Sequence, residues 1–209
     1  MTPHEKIKAR VSQMILNFGI KSVRMDDVAA DLGMSKRTLY EMFGDKEELL
    51  YQSIVYLMEE RRREVSKRTA HCQNMLETLL VSVRIFCVEG RMGEKEYRLT
   101  TNMRKFYPEI FERVQHYHME MGMNGLKYAL DKCREEGYLD HNADIKLMVE
   151  LFFLSMSMLL SDRNVVIPEG MSREEAFGAL VVNFLRGLSS TKGLTMIDEI
   201  LERERNKKV

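Results

Sequence analysis

An all-α fold is what this chain of 209 residues predicts, and three observations predict it. Only 3 prolines and 12 glycines punctuate the sequence, too few for a protein built from many short strands. Apolar residues recur at helical rather than alternating spacing. Helix start and stop signals accompany them in register. With 44% hydrophobic and 31% charged residues, the chain has an ordinary globular composition rather than a disordered one. Its length is enough to bury a proper core.

The elements follow in order. Thr2-Pro3-His4-Glu5 reads as a capping box with proline at the first helical position. It opens a stripe of Ile7, Val11, Met14, Ile15 and Phe18, which Gly19 stops. A short helix is expected from about Met25 to Leu32, ending at Gly33, and another from Ser35 to about Met42. Asp45 to Glu48 then opens a long fourth helix running to roughly Lys67, with Leu49, Leu50, Ile54 and Leu57 facing inward. Later helices are expected at about 74–90, 94–105, 108–136, 143–162 and 172–190, with a final turn or two within 195–205. Gly122 and Gly125 could kink or split the helix at 108–136. The strand-like trio Val165-Val166-Ile167 is too short to found a sheet. The contrast in helix length divides the chain into residues 1–46 and residues 47–209, with the fourth helix joining the two parts.

Charge by itself identifies no partner, because 32 Lys+Arg balance 32 Asp+Glu. Placement has to carry that argument. The stretch Val28-Ala29-Ala30-Asp31-Leu32-Gly33-Met34-Ser35-Lys36-Arg37-Thr38-Leu39-Tyr40 reads as helix, tight turn, second helix. Gly33 suits a left-handed position, Ala29 is small where two helices cross, and Ser35 has N-cap chemistry. The second helix then carries Lys36, Arg37, Thr38 and Tyr40 near its start, where a helix-turn-helix meets the major groove. Read from these residues alone, an ordinary helical hairpin with a solvated basic end is the alternative.

From Gly19 to Leu50 the sequence resembles the N-terminal domain of the TetR family of bacterial transcriptional regulators. The resemblance rests on Asp27-Val28-Ala29, Leu32-Gly33-Met34-Ser35, Thr38-Leu39-Tyr40, Phe43 and Lys46-Glu47-Glu48-Leu49. It implies a three-helix DNA-binding head with Ser35–Met42 as recognition helix. Lys36 and Arg37 then become base or phosphate readers. Thr38 and Tyr40 become phosphate contacts through their hydroxyls, with Lys46 as another. Such roles suit the chemistry, since phosphate oxygens accept from hydroxyls, ammonium groups and helix N-termini while Arg can pair bidentately with guanine. The alternative for Tyr40 is a core ring beside Phe43, and one side chain can do both. One residue departs from the pattern: Arg24 stands where family members often have Ser or Thr. It either reaches a phosphate or is a solvated arginine, and Ser22 could supply the cap in a shifted register.

The same resemblance implies that the C-terminal helices hold an effector pocket and a dimer interface. Methionine and aromatic residues supply material for an adaptable apolar pocket, and Phe86, Met103, Phe106, Phe111, Tyr128, Phe152 and Met156 are expected to line it. The helices at 143–162 and 172–190 are apolar over more than one face, as a core-plus-partner role requires. Phe153, Leu160, Phe177, Val181, Phe184 and Leu188 are the expected dimer contacts. The implied partners are thus a double-stranded operator, a second copy of the chain and an apolar small effector, with no cofactor.

Other classes find little support. Cys72, Cys87 and Cys133 form no CxxC pair, which argues against zinc and for a reducing compartment. His116 and His118, two apart on a helix, point away from each other and cannot share an ion. No Ser/His/Asp, Cys/His or phosphate-loop arrangement points to an enzyme. The charged N-terminus lacks a signal-peptide core, and Leu147–Leu160 is too short to span a bilayer and contains Glu150. A cytoplasmic protein is expected.

Overall fold

A computed structural model describes residues 1–89, 94–161 and 167–206, without the side chains of 86–89, 94–97, 157, 158, 160 and 161. Among the described residues the regular elements are helical: α1 (Pro3–Phe18), a 3-10 turn (Ile20–Ser22), α2 (Met25–Leu32), α3 (Lys36–Phe43), α4 (Lys46–Thr69), α5 (Met75–Glu89), α6 (Glu94–Phe106), α7 (Pro108–Glu135), α8 (Ile145–Ser161), α9 (Arg173–Leu188) and α10 (Thr191–Asn206). The sole bridge among them pairs Leu139 with Ser189. Of the strand-like trio, Val165 and Val166 lie outside the described residues.

The chain forms two compact units that do not follow the contrast in helix length. One comprises Met1–Glu64 and Met92–His118, the other Val65–Arg91 and Met119–Val209. The helices α4 and α7 each run through both.

In the first unit α1 begins in the expected box. The Thr2 N–H donates to Glu5 Oε2 at 2.7 Å, and the Glu5 N–H to Thr2 Oγ1 at 3.2 Å, so two otherwise unpartnered donors are satisfied at once. Ile7, Val11, Met14 and Ile15 are buried, but Phe18 is exposed. The chain leaves the helix at Gly19, and Ile20 in the following 3-10 turn is the residue that goes inside. The core continues through Val23, Met25, Val28, Ala29, Leu39, Phe43, Leu49, Leu50 and Ile54. Residues distant in sequence complete it: Leu99 and Met103 from α6, Ile110 and Val114 from α7.

The second unit packs α5 against α9 and α10, and α8 against α9. Its core holds Leu76, Leu80, Leu130, Tyr138, Val149, Phe152, Phe177, Val181, Leu185 and Ile197 among others. The glycines of α7 do not split it: Gly122 faces Phe153, where an added Cβ would stand 2.9 Å from the ring. The last helix is longer than expected, because Ser190 caps it by accepting from the Gly193 N–H at 3.2 Å. No described helix is long and apolar enough to cross a membrane.

Candidate nucleic-acid interface

The turn between α2 and α3 is built as its residues require. Gly33 is left-handed at φ 63° and ψ 33°, a region that resists side chains with a Cβ. Its N–H donates to the Ala30 carbonyl at 3.2 Å, and the Met34 N–H to the Ala29 carbonyl at 3.0 Å, closing off α2. Ser35 then caps α3, its Oγ accepting from the Thr38 N–H at 3.0 Å. The Thr38 hydroxyl lies 2.8 Å from the same Oγ, so it belongs to the cap as well as to the surface. Leu39 and Phe43 anchor α3 in the core. The opposite side carries Lys36, Arg37 and Tyr40 in the open, with Tyr40 42% exposed.

Each of these cations is already held. Lys36 Nζ lies 3.0 and 3.1 Å from the two carboxylate oxygens of Asp26 in the first turn of α2. That pair holds the Lys36 ammonium above its ordinary pKa, with Arg24 pushing the other way. The Arg37 Nε donates to Glu41 Oε1 at 2.8 Å along the helix, its side chain 88% exposed. Surface pairs of this kind contribute little to stability. Arg24 occupies the N-cap of α2 without a side-chain capping bond. Ser22 ends the 3-10 turn and does not replace it, so Asp26 and Asp27 in the first turn are what favours that helix end.

Lys46 opens α4, whose first turn is capped by Asp45 Oδ1 accepting from the Glu48 N–H at 2.8 Å. Its Nζ donates to the Tyr107 hydroxyl at 3.3 Å. Nearby, Arg113 of α7 pairs with Glu48 at 2.9 Å and lies over the Tyr51 ring at 3.8 Å. Sequence reading singled out neither Asp26, Glu41, Tyr107 nor Arg113 for this surface. An acid four residues after Arg37 was a readable signal for Glu41; the others come from segments outside the helix they meet and carry none.

The family signature for bacterial regulatory proteins of the tetR family matches residues 13–52, the span that contains the turn, α3 and the start of α4. Over these residues the chain matches the TetR family. Its fold is also that of solved regulators. A TetR-family transcriptional regulator from Pectobacterium atrosepticum, 17% identical, covers 90% of this chain and 94% of its own at TM-score 0.62. A transcriptional regulator from Cytophaga hutchinsonii, 16% identical, covers 89% and 98% at TM-score 0.64. SmeT, the repressor of the Stenotrophomonas maltophilia multidrug efflux pump SmeDEF, is 15% identical and covers 91% and 92% at TM-score 0.58. No curated protein matches the sequence.

The remaining expected site residues fall in both units. Of the pocket set, Met103, Phe106 and Phe111 belong to the first unit, and Tyr128, Phe152 and Met156 to the second. Met103 is buried in the head core, Lys21 Nζ stands 3.8 Å over the exposed Phe106 ring, and Tyr128 is exposed. The Phe86 side chain lies outside the described residues. Phe152 and Met156 share one cluster, with Phe184 4.8 Å from Phe152, and Met103 and Phe111 share the other. Of the dimer set, Phe153, Phe177, Val181 and Leu188 are buried within the single chain, in the second unit's core. Phe184 is half-buried, and the Leu160 side chain is outside the described residues. Among the described residues, the large apolar side chains left in the open on α8 are Leu147, Leu151 and Leu154, at helical spacing on one side.

Proposed function

We propose that this TetR-family regulator is a ligand-responsive repressor of the cytoplasm that binds a palindromic operator as a homodimer and is released by a small apolar effector. The observation that carries the reading is the exposed side of α3, with Lys36, Arg37 and Tyr40 raised on a helix start capped by Ser35. A helix N-terminus with cations around it favours phosphate, and an arginine beside it can pair with a guanine edge. Ser35, Thr38, Lys46 and Arg24 complete the proposed contact set.

The proposed dimer face is the exposed stripe Leu147, Leu151 and Leu154 of α8, which leaves apolar area in water unless a second copy covers it. A two-fold pairing through one face presents two copies of α3, hence the palindrome. For the effector, the favoured seat is the second unit's core, against which Met119, Met123, Met148 and Met156 pack half-buried in the cluster that also holds Phe152. Thioethers repack around varied apolar shapes. The effector acts only if it binds the operator-competent and released states unequally. A compound that raises the melting temperature of the free protein while releasing bound duplex is the expected signature of an effector; one that does the first without the second argues against release.

Titration of labelled duplex across salt concentrations tests the head. Lys46→Ala is expected to weaken binding to all sequences and to reduce the slope of log affinity against log salt by about 1. Arg37→Ala is expected to relax discrimination between sequences by about 1–3 kcal/mol. Unchanged slope and unchanged discrimination would refute both assignments.

A further inference from the structure

We propose that Tyr107 is a positioning residue for DNA binding, holding the Lys46 ammonium ready for a backbone phosphate; this rests on the reading of Lys46 as a phosphate contact. Tyr107 is the single residue between α6 and α7. That corner is fixed from both sides. The Tyr107 N–H donates to the Met103 carbonyl at 2.8 Å, the Phe111 N–H donates to the Tyr107 carbonyl at 2.9 Å, and Pro108 follows. Met103 and Ile110, flanking it, are anchored in the head core. The phenol is therefore carried on a rigid support.

The contact itself has useful chemistry. Lys46 Nζ lies 3.3 Å from the hydroxyl and 5.8 Å from the ring centroid, so the ammonium sits at the polar edge of the ring. An ammonium has three donors, and a hydroxyl takes one. A phenol is also neutral, so it orients Lys46 without cancelling its charge. Lys36 is the contrast: Asp26 holds it with a full negative charge that a phosphate has to displace. Lysine is a flexible four-carbon stem that loses rotamer freedom when it binds, and ordering it beforehand removes part of that loss from the binding step. The rest of the neighbourhood points the same way, since Arg113 on α7 fixes Glu48 and Tyr51 in the same stretch of α4.

The test is a double-mutant cycle on the full chain with a random-sequence DNA duplex as probe. Affinity is measured across salt for wild type, Tyr107→Phe, Lys46→Ala and the double variant. Tyr107→Phe keeps the ring and loses only the hydroxyl. It is expected to bind about threefold more weakly than wild type, the scale of part of one long side chain's rotamer freedom, and to cost nothing further once Lys46 is alanine. A purely structural loss would carry over into the Lys46→Ala background, so additive losses overturn the positioning role. So does wild-type affinity in Tyr107→Phe while Lys46→Ala still binds weakly. If Lys46→Ala changes neither affinity nor slope, the phosphate reading fails first and the positioning role falls with it.

Discussion

Arg10 and Asp31 tie the end of α2 back to α1, and so fix the angle at which the chain enters the turn before α3. The guanidinium donates to both carboxylate oxygens, Nε to Oδ2 at 2.5 Å and Nη2 to Oδ1 at 2.6 Å. A planar fork of this kind fixes geometry as well as charge. Its hydrogen bonds, helped by the guanidinium charge, hold the Asp31 carboxyl below its ordinary value of 3.8. Because the folded-state value is the lower one, the contribution is fully present above the ordinary value and is lost as pH falls through the lowered one. The expected outcome is that Asp31→Asn melts below wild type at neutral pH and that the gap closes on acidification below 3.8. Thermal melts over that range check it; a gap that persists into strong acid would contradict it. The local chemistry of this region was open to a reader of the sequence. Thr2 with Glu5, Gly33 and Ser35 all act within five residues of themselves, where composition and order carry the information. Asp26 facing Lys36 and Tyr107 facing Lys46 depend on how separate helices meet, and no spacing rule announces them.

Among the elements, α10 shows how close an approach a single residue can require. Gly193 lies in its first turn against the segment after α7, where the Ser190 N–H donates to the Tyr138 carbonyl at 2.9 Å and the Asp140 N–H to the Leu188 carbonyl at 2.9 Å. A Cβ on Gly193 would stand 2.0 Å from the Tyr138 oxygen. That neighbour is backbone and cannot swing aside. Gly193→Ala is expected to destabilise the fold by about 1–3 kcal/mol or more, read as a lowered melting temperature; a variant that melts with wild type would refute the tight packing. The helices α8 and α9 teach a different lesson. Both were legible as apolar over more than one face, yet which face meets the protomer's own core was not. Phe153, Phe177, Val181 and Leu188 turned inward, while Leu147, Leu151 and Leu154 were left outside. Periodicity locates a stripe but does not say which of two stripes a neighbouring helix covers. The two compact units were hidden for a related reason. Leu99, Met103, Ile110 and Val114 return to the head core from far along the chain, and helix length alone is blind to such a return.

For the molecule as a whole, zero net charge means that no bulk attraction draws it to DNA, and affinity has to come from a few placed groups. The match to the TetR family covers residues 13–52, and the likeness to solved regulators extends the fold over most of the chain. What joins these facts into a function is the proposal that α3 enters the major groove, and does so twice in a symmetric pair. The direct measurement is selection of duplexes by the purified protein from a random-sequence pool, followed by sequencing of the bound fraction. An inverted repeat is expected, its half-sites centred about one helical turn apart or a multiple of it, roughly 34 Å per turn. A bound fraction no richer in any sequence than the starting pool, or one enriched for a lone asymmetric site, would contradict it.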